Sequence, residues 1–365
     1  GLDLELRRRA TGSFTPYQKD GQHDGLLLSN VSEGTSRESV VALTGSDREF
    51  EQMKKFYALA RTFAEKTWDS LLEPLVSKDE MAKDFADDEL SREAWRSLAE
   101  EPLGVALERY LQNDLLRGLV FTDAKIGVLT HPHDPTLLQN RCFLYHLIGN
   151  RTGEWKVPVG GMGAVARKLD EAARASGAEI VTGVTIKSLD VAGKTRSVEF
   201  EQNGKVQGVD GRFLLVNFGR NVFAKLLGES YESDATDEGS VFKINLLLKR
   251  LPKLKVTRYP ATEAFCGTFH IDEGYEEMKR SYEQARVGTL PDQLPSEIYC
   301  HTLTDDSILA PELRAQGYQT LTLFGLDTPW PLFAGRNEEM SQKAERSFLT
   351  GINKWLAEPL EDCLA

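Results

Sequence analysis

The segment Lys156-Val-Pro-Val-Gly-Gly-Met-Gly-Ala-Val-Ala-Arg-Lys-Leu-Asp-Glu-Ala-Ala-Arg-Ala-Ser-Gly-Ala-Glu-Ile-Val-Thr-Gly-Val184 reads as a glycine-rich loop, a helix, a turn and a strand. Gly160, Gly161 and Gly163 stand where the chain must bend tightly into the helix. Val165, Leu169, Ala172 and Ala173 then recur at helical spacing on one face. Ser176-Gly177 ends the helix, with Gly177 placed as its C-terminal cap. Ile180-Val181 and Val184-Thr-Ile186 have strand composition. Together these pieces form half of a βαβ unit, and the helix N-terminus is where such units hold anions. The expected fold class is therefore α/β, mixed with α+β character.

Gly161-x-Gly163-x-x-Ala166 satisfies the dinucleotide pattern formally. Its context argues against a self-sufficient site. Pro158 interrupts the only strand that could precede the loop. The acidic residue expected about 20 residues on should close the second strand, and Glu179 precedes that strand instead.

Outward from this segment, the 365 residues suffice for two compact domains. A net charge of −12 argues against nucleic acid as a partner. The basic run Arg7-Arg8-Arg9 reads as a solvated strand end. No apolar stretch approaches the roughly 18 residues of a membrane span. Cys142, Cys266, Cys300 and Cys363 are far apart and read as free thiols, which points to a reducing compartment, the cytoplasm or the mitochondrial matrix.

Short strands are expected in the first 45 residues, with Ser13 to Tyr17 as an edge strand because of Pro16. Ser46-Asp-Arg-Glu49 is a capping box that opens a long helix, and helices continue to residue 120. The loop around His131, Pro132, His133 and Asp134 has no third ligand at useful spacing, so no metal site is expected; it reads as a turn or the lining of a cleft. After Val184 a meander follows, with Asn203-Gly204 as its hairpin turn, and then a buried strand over Phe213 to Val216 that runs into Asn217. Strands at Val241 to Leu248, Ser296 to Leu303 and Gln319 to Gly325, and helices over Tyr275 to Ala285 and at the end of the chain, complete the pattern. His133, Tyr145, His146, His270 and His301 are candidate polar groups of a cleft, each read more readily as a satisfied structural residue because nothing local identifies its partner.

Val157-Pro-Val-Gly-Gly-Met-Gly-Ala164, the Gly177-Ala-Glu-Ile…Val184-x-Ile186 pattern and the meander resemble the phytoene desaturase-like flavoproteins of the flavin amine oxidase group. Thr122-Asp-Ala…Ile126-Gly127, the Pro132-His133 loop and Tyr299-Cys-His-Thr-Leu-Thr304 resemble the branch called pyridine nucleotide-disulfide oxidoreductase domain-containing protein 2. The resemblance implies a partial FAD-binding domain of helix, strand and meander, interleaved with a substrate domain of mixed sheet and helices. On that division residues 1–150 form a substrate or cap region, 151–227 the partial FAD-binding domain, 228–335 the substrate domain and 336–365 a closing helix. It implies FAD as cofactor, with Gly160, Gly161, Met162, Gly163, Val184 and Asn217 toward it. His131, His133, Tyr145 and His301 are then expected in the substrate cleft, and the catalytic residues stay unassigned.

The implied activity is hydride transfer between an apolar small molecule and the flavin, in a protein compatible with a homo-oligomer. A non-catalytic module that holds a lipid-like ligand or a protein on the same scaffold is the alternative. The family's first glycine motif and its second flavin segment have no counterpart here, so the chain resembles the middle of such an enzyme. On this expectation the polypeptide by itself binds FAD weakly or not at all; flavin absorbance near stoichiometric occupancy in the purified chain would contradict it.

Overall fold

The computed structural model describes residues 2–151, 153–232 and 239–365, and shows a mixed α/β fold. The chain opens with β1 (Leu6–Arg8), β2 (Thr11–Lys19) and β3 (Gln22–Ser29). A helical stretch follows: α1 (Glu33–Thr44), α2 (Asp47–Thr67), α3 (Lys78–Lys83), α4 (Glu89–Trp95), α5 (Leu103–Tyr110), α6 (Asp114–Phe121) and α7 (Leu138–Leu147). Then come β4 (Lys156–Pro158), α8 (Gly161–Ala175), the meander β5 (Thr185–Asp190), β6 (Arg196–Gln202) and β7 (Lys205–Gly211), and α9 (Arg220–Leu227). The last part holds β8 (Phe242–Leu248), α10 (Ala261–Ala264), β9 (Thr268–Ile271), α11 (Tyr275–Arg286), β10 (Ser296–Tyr299), α12 (Pro311–Ala315), β11 (Gln319–Gly325) and α13 (Asn337–Asn353).

Two compact units result. The larger comprises Leu4–Val165 with Gly239–Ala365, and the smaller holds the described residues of Ala166–Glu238 and Gly1–Asp3. The larger unit is built on a six-stranded sheet in the order β3-β2-β9-β10-β11-β8. Pairing is antiparallel except between β2 and β9. Strand side chains alternate between the two faces. Phe14, Leu27, Phe269, Ile298, Leu321 and Leu323 lie in one core with Phe348 of α13. Tyr17 and Leu26 belong to a second core, with Phe56, Phe63, Trp95, Leu107 and Phe121 of the helical stretch.

The expected edge strand at Ser13 to Tyr17 is interior to this sheet. β9 pairs only with Ser13 and Phe14, so on that side of β2 no neighbour requires the N–H that Pro16 lacks, while β3 pairs along its other side. Ser46 caps α2 as expected, accepting the Arg48 N–H at 3.2 Å. Glu49 does not close the capping box. Its carboxylate accepts the N–H groups of Gln112 at 3.1 Å and Asn113 at 3.2 Å, which ties the start of α2 to the turn between α5 and α6.

In the smaller unit β5-β6-β7 is an antiparallel meander. Asn203 (φ 52°) and Gly204 (φ 74°) supply the positive φ values of its tight turn, as the Asn-Gly pair foretells. The expected strand at Phe213 to Val216 is absent: these residues pair with no described strand, and Leu215 is 94% exposed. None of the residues of α8 is buried, although its sequence is amphipathic.

In the larger unit α6 crosses the turn before α11 so closely that a Cβ on Gly118 would stand 1.9 Å from the backbone oxygen of Glu273. Backbone cannot rotate aside as a side chain can. Gly118→Ala is therefore expected to destabilise the protein by about 1–3 kcal/mol, seen as a lower urea midpoint with an unchanged slope.

Candidate functional site

The register of β9 with β10 builds the site. Tyr299 lies across from Thr268, and Glu297 across from His270. By strand alternation these four side chains share one face, while Phe269 and Ile298 point into the core behind it. The four form the floor of a cavity of about 860 Å³ within the larger unit. Phe50, Met53 and Tyr57 of α2, Leu28, Leu119 and Leu147 give it an apolar wall. Thr122 and Asp123, from the turn that ends α6, reach it from above the floor, and Arg9, His146 and Trp155 close one side.

Glu297 on the floor and Glu273 behind it are each held by specific partners. Thr122 Oγ1 donates to Glu297 Oε1 at 3.0 Å, and the Tyr299 hydroxyl donates to Glu297 Oε2. Glu273, on the turn after β9, shares a proton with His270 Nδ1 across 2.6 Å. The other Glu273 oxygen is buried without a partner. Burial, then repulsion from Glu297, pushes the Glu273 carboxyl well above its usual range. Burial also raises Glu297 and Asp123. Burial lowers His270 and outweighs the pull of Glu297 and Asp123 on it. The cluster thus favours protonated carboxyls and a neutral imidazole, a state suited to giving or taking a proton beside the cavity. One layer away Lys125 pairs with Asp327 at 2.6 Å, both side chains fully buried, and Lys125 also donates to the Met278 carbonyl at 3.1 Å.

One nitrogen of His270 and one oxygen each of Glu273 and Glu297 lie within 4.8 Å of one another, a donor set that a divalent cation can use. Two of those three atoms are engaged in the 2.6 Å proton-sharing contact. The trio is drawn from two strands and a turn, so no local spacing in the sequence announces it.

The residues expected for the site are dispersed. His301 stacks on Tyr299 at 5.8 Å, at the margin of the cavity. Tyr145 is 81% exposed and touches the His146 ring, which is itself on the cavity wall. His131 and His133 belong to a polar knot on the other side of the helical stretch: the His133 N–H donates to His131 Nδ1, and His133 Nε2 meets Glu108 at 2.9 Å. Tyr275 donates to the same Glu108 carboxylate at 3.0 Å, which makes this loop an anchor for α11. Gly160, Gly161, Met162 and Gly163 turn into α8 with positive φ at the first two. The Gly160 N–H is bonded to Asp305 Oδ2 at 2.7 Å. Against the upward push of burial, the Ser307 hydroxyl and the Gly160 N–H hold the Asp305 carboxyl below its usual range. Met162 is 71% exposed. Val184 is half-buried and Asn217 exposed, both in the smaller unit.

The basic run divides. Arg7 and Arg8 are exposed on β1 and pair with Asp305 and Glu154. Arg9 is no solvated strand end: it is 7% exposed and lines the cavity. Thr122, Asp123 and Tyr299 lie in the stretches that carry the family resemblance, so a signal for them was present. For Glu297 the signal is a charge inside the strand-like Ser296-Glu-Ile-Tyr299.

No family model matches the chain. It is 40% identical over 366 residues to the uncharacterized protein Rv0897c of Mycobacterium tuberculosis, the match covering 100% of this chain and 68% of that protein. The uncharacterized protein Mb0921c of Mycobacterium bovis matches equally. Pyridine nucleotide-disulfide oxidoreductase domain-containing protein 2 of Rattus norvegicus is 27% identical over 254 residues, 64% of this chain and 42% of that one. Among solved structures, an oxidoreductase from Methanosarcina mazei aligns over 96% of this chain and 66% of its own, with a TM-score of 0.47 and 13% identity.

The raised carboxyls give a sign to the pH dependence of stability. A carboxyl with a raised folded-state pKa stabilises the fold fully below the ordinary glutamate range, and this is lost as pH rises through the raised value. Glu273 thus adds a falling slope: its own contribution to the unfolding free energy is expected to decrease between acidic and mildly alkaline solution. Glu273→Gln should flatten that slope in urea titrations at several pH values; an unchanged slope would remove Glu273 from the account.

Proposed function

The chain belongs to the family of the mycobacterial protein Rv0897c, and from the cavity it encloses we propose that it is the substrate-binding core of an FAD-dependent oxidoreductase. The observation that carries the reading is the pairing of an apolar wall with a buried acid–base floor in one cavity of about 860 Å³. Such a volume suits a small organic molecule. The similarity to pyridine nucleotide-disulfide oxidoreductase domain-containing protein 2 supports the reaction class. The finer reading is phytoene dehydrogenase-like: an apolar substrate exchanges a hydride with the flavin.

A bound flavin supplies the hydride acceptor or donor. At the Gly160 loop the Gly160 N–H already binds the Asp305 carboxylate, so that N–H is not assigned to the flavin phosphates. What the chain itself contributes is physical. The wall formed by Phe50, Met53 and Leu119 takes the apolar body of a substrate and excludes water. His270 Nδ1 and Glu273 Oε2 share a proton behind the floor, beside Glu297, and His270 and Glu297, which line the cavity, are assigned the exchange with substrate.

The alternative, a non-catalytic module for a lipid-like ligand, uses the same wall and no floor chemistry. The two separate in one experiment. The protein is purified at the full length of its mycobacterial relatives and its absorbance recorded before and after reduction. Bound, reducible flavin is expected. A folded, flavin-free protein that still takes up an apolar fluorescent probe would overturn the enzyme reading in favour of the module.

A further inference from the structure

Arg9 is the group in the cavity that neither the fold nor the proton chemistry uses. Its guanidinium carbon lies 5.3 Å from the Trp155 ring centroid and 5.9 Å from that of Tyr299. Ring contacts of this kind orient a guanidinium without neutralising it. Its one hydrogen bond from the side chain is a long one, from Nη1 to Thr268 Oγ1 at 3.4 Å. Nε is buried with no acceptor. Among the described residues no carboxylate forms an ion pair with it, while its neighbours Arg7 and Arg8 both have one. Glu297 shares the cavity, but its oxygens are taken by Thr122 and Tyr299.

A buried, always-charged guanidinium is costly unless something pairs with it. Its forked N–H groups match a carboxylate, two bonds to two oxygens. We propose that the cavity binds amphipathic monocarboxylates, with the carboxylate on Arg9 and the apolar body along Leu28, Phe50, Met53, Leu119 and Leu147. The inference rests on the substrate-cavity reading and narrows its substrate class. A monocarboxylate presents two oxygens in one plane to the guanidinium fork, whereas a dianionic phosphate brings a second charge for which Arg9 offers no partner.

The test is a fluorescence titration of the protein with cis-parinaric acid and, separately, with its methyl ester, followed by displacement with dodecanoate, dodecylamine and dodecyl phosphate. The acid is expected to bind at least about tenfold tighter than the ester, the scale of a charge-assisted pair. Dodecanoate should displace it better than the amine or the phosphate. Arg9→Met should bring acid and ester to equal affinity, and Arg9→Lys should restore part of the difference. Circular dichroism confirms that each variant is folded, and the acid–ester ratio of the unaltered protein needs no variant. Equal binding of acid and ester, binding of neither, preferential displacement by the amine or phosphate, or an acid preference that survives in folded Arg9→Met would each overturn the proposal. Adsorption to exposed apolar surface elsewhere cannot imitate dependence on Arg9. A flavin-free protein that prefers the acid would uphold this inference while sinking the enzyme reading; a flavoprotein indifferent to the acid would do the reverse.

Discussion

Antiparallel pairing of β9 with β10 sets His270 opposite Glu297, and most of what is distinctive in the larger unit follows from that register. Two ionisable side chains on the buried face of an interior strand pair must find partners inside the protein, because water is no longer there to serve them. The turn after β9 answers with Glu273, and the turn after α6 with Thr122. Both turns are held close by the absence of a side chain at Gly118. Helix packing and site chemistry are thus one constraint met twice.

The same requirement explains the second buried pair. Lys125 follows the Thr122 turn by three residues and could not stay charged alone at that depth. Asp327 accepts from it at 2.6 Å and the Met278 carbonyl at 3.1 Å, so the cation is compensated where the chain enters the site. Arg9 is the exception to this pattern of pairing, and the contrast with Lys125 is what gives it meaning.

Local pattern made much of the fold legible. The Asn203-Gly204 turn, the Ser46 cap, the apolar stripe of α2 and the apolar strands at β8, β10 and β11 all rest on residues adjacent in the chain. The errors came where tertiary partners decide. Pro16 signals an edge in isolation, yet it sits in an interior strand, one of whose neighbours stops short of it. Phe213 and Leu215 have the composition of a buried strand, yet no described strand pairs with them. The site was the least legible part for the same reason. Arg9, Thr122, Glu273 and Glu297 are far apart in sequence and meet only through sheet order, while His131 and His133, adjacent and conspicuous, bond to each other and to Glu108.

The alternation along β9 and β10 also bears on how such a protein can diversify. Thr268, His270, Glu297 and Tyr299 face the cavity, and Phe269, Ile271 and Ile298 face the core. Point changes on the first set can rewrite the chemistry of the cavity while leaving the second set in place. An insertion or deletion of one residue in either strand would exchange the two sets, sending charges into the core and phenyl rings into the cavity. Lineages built on this sheet are therefore free to explore new substrates by substitution, but closed to length change in these two strands; novelty in length has to enter through the loops.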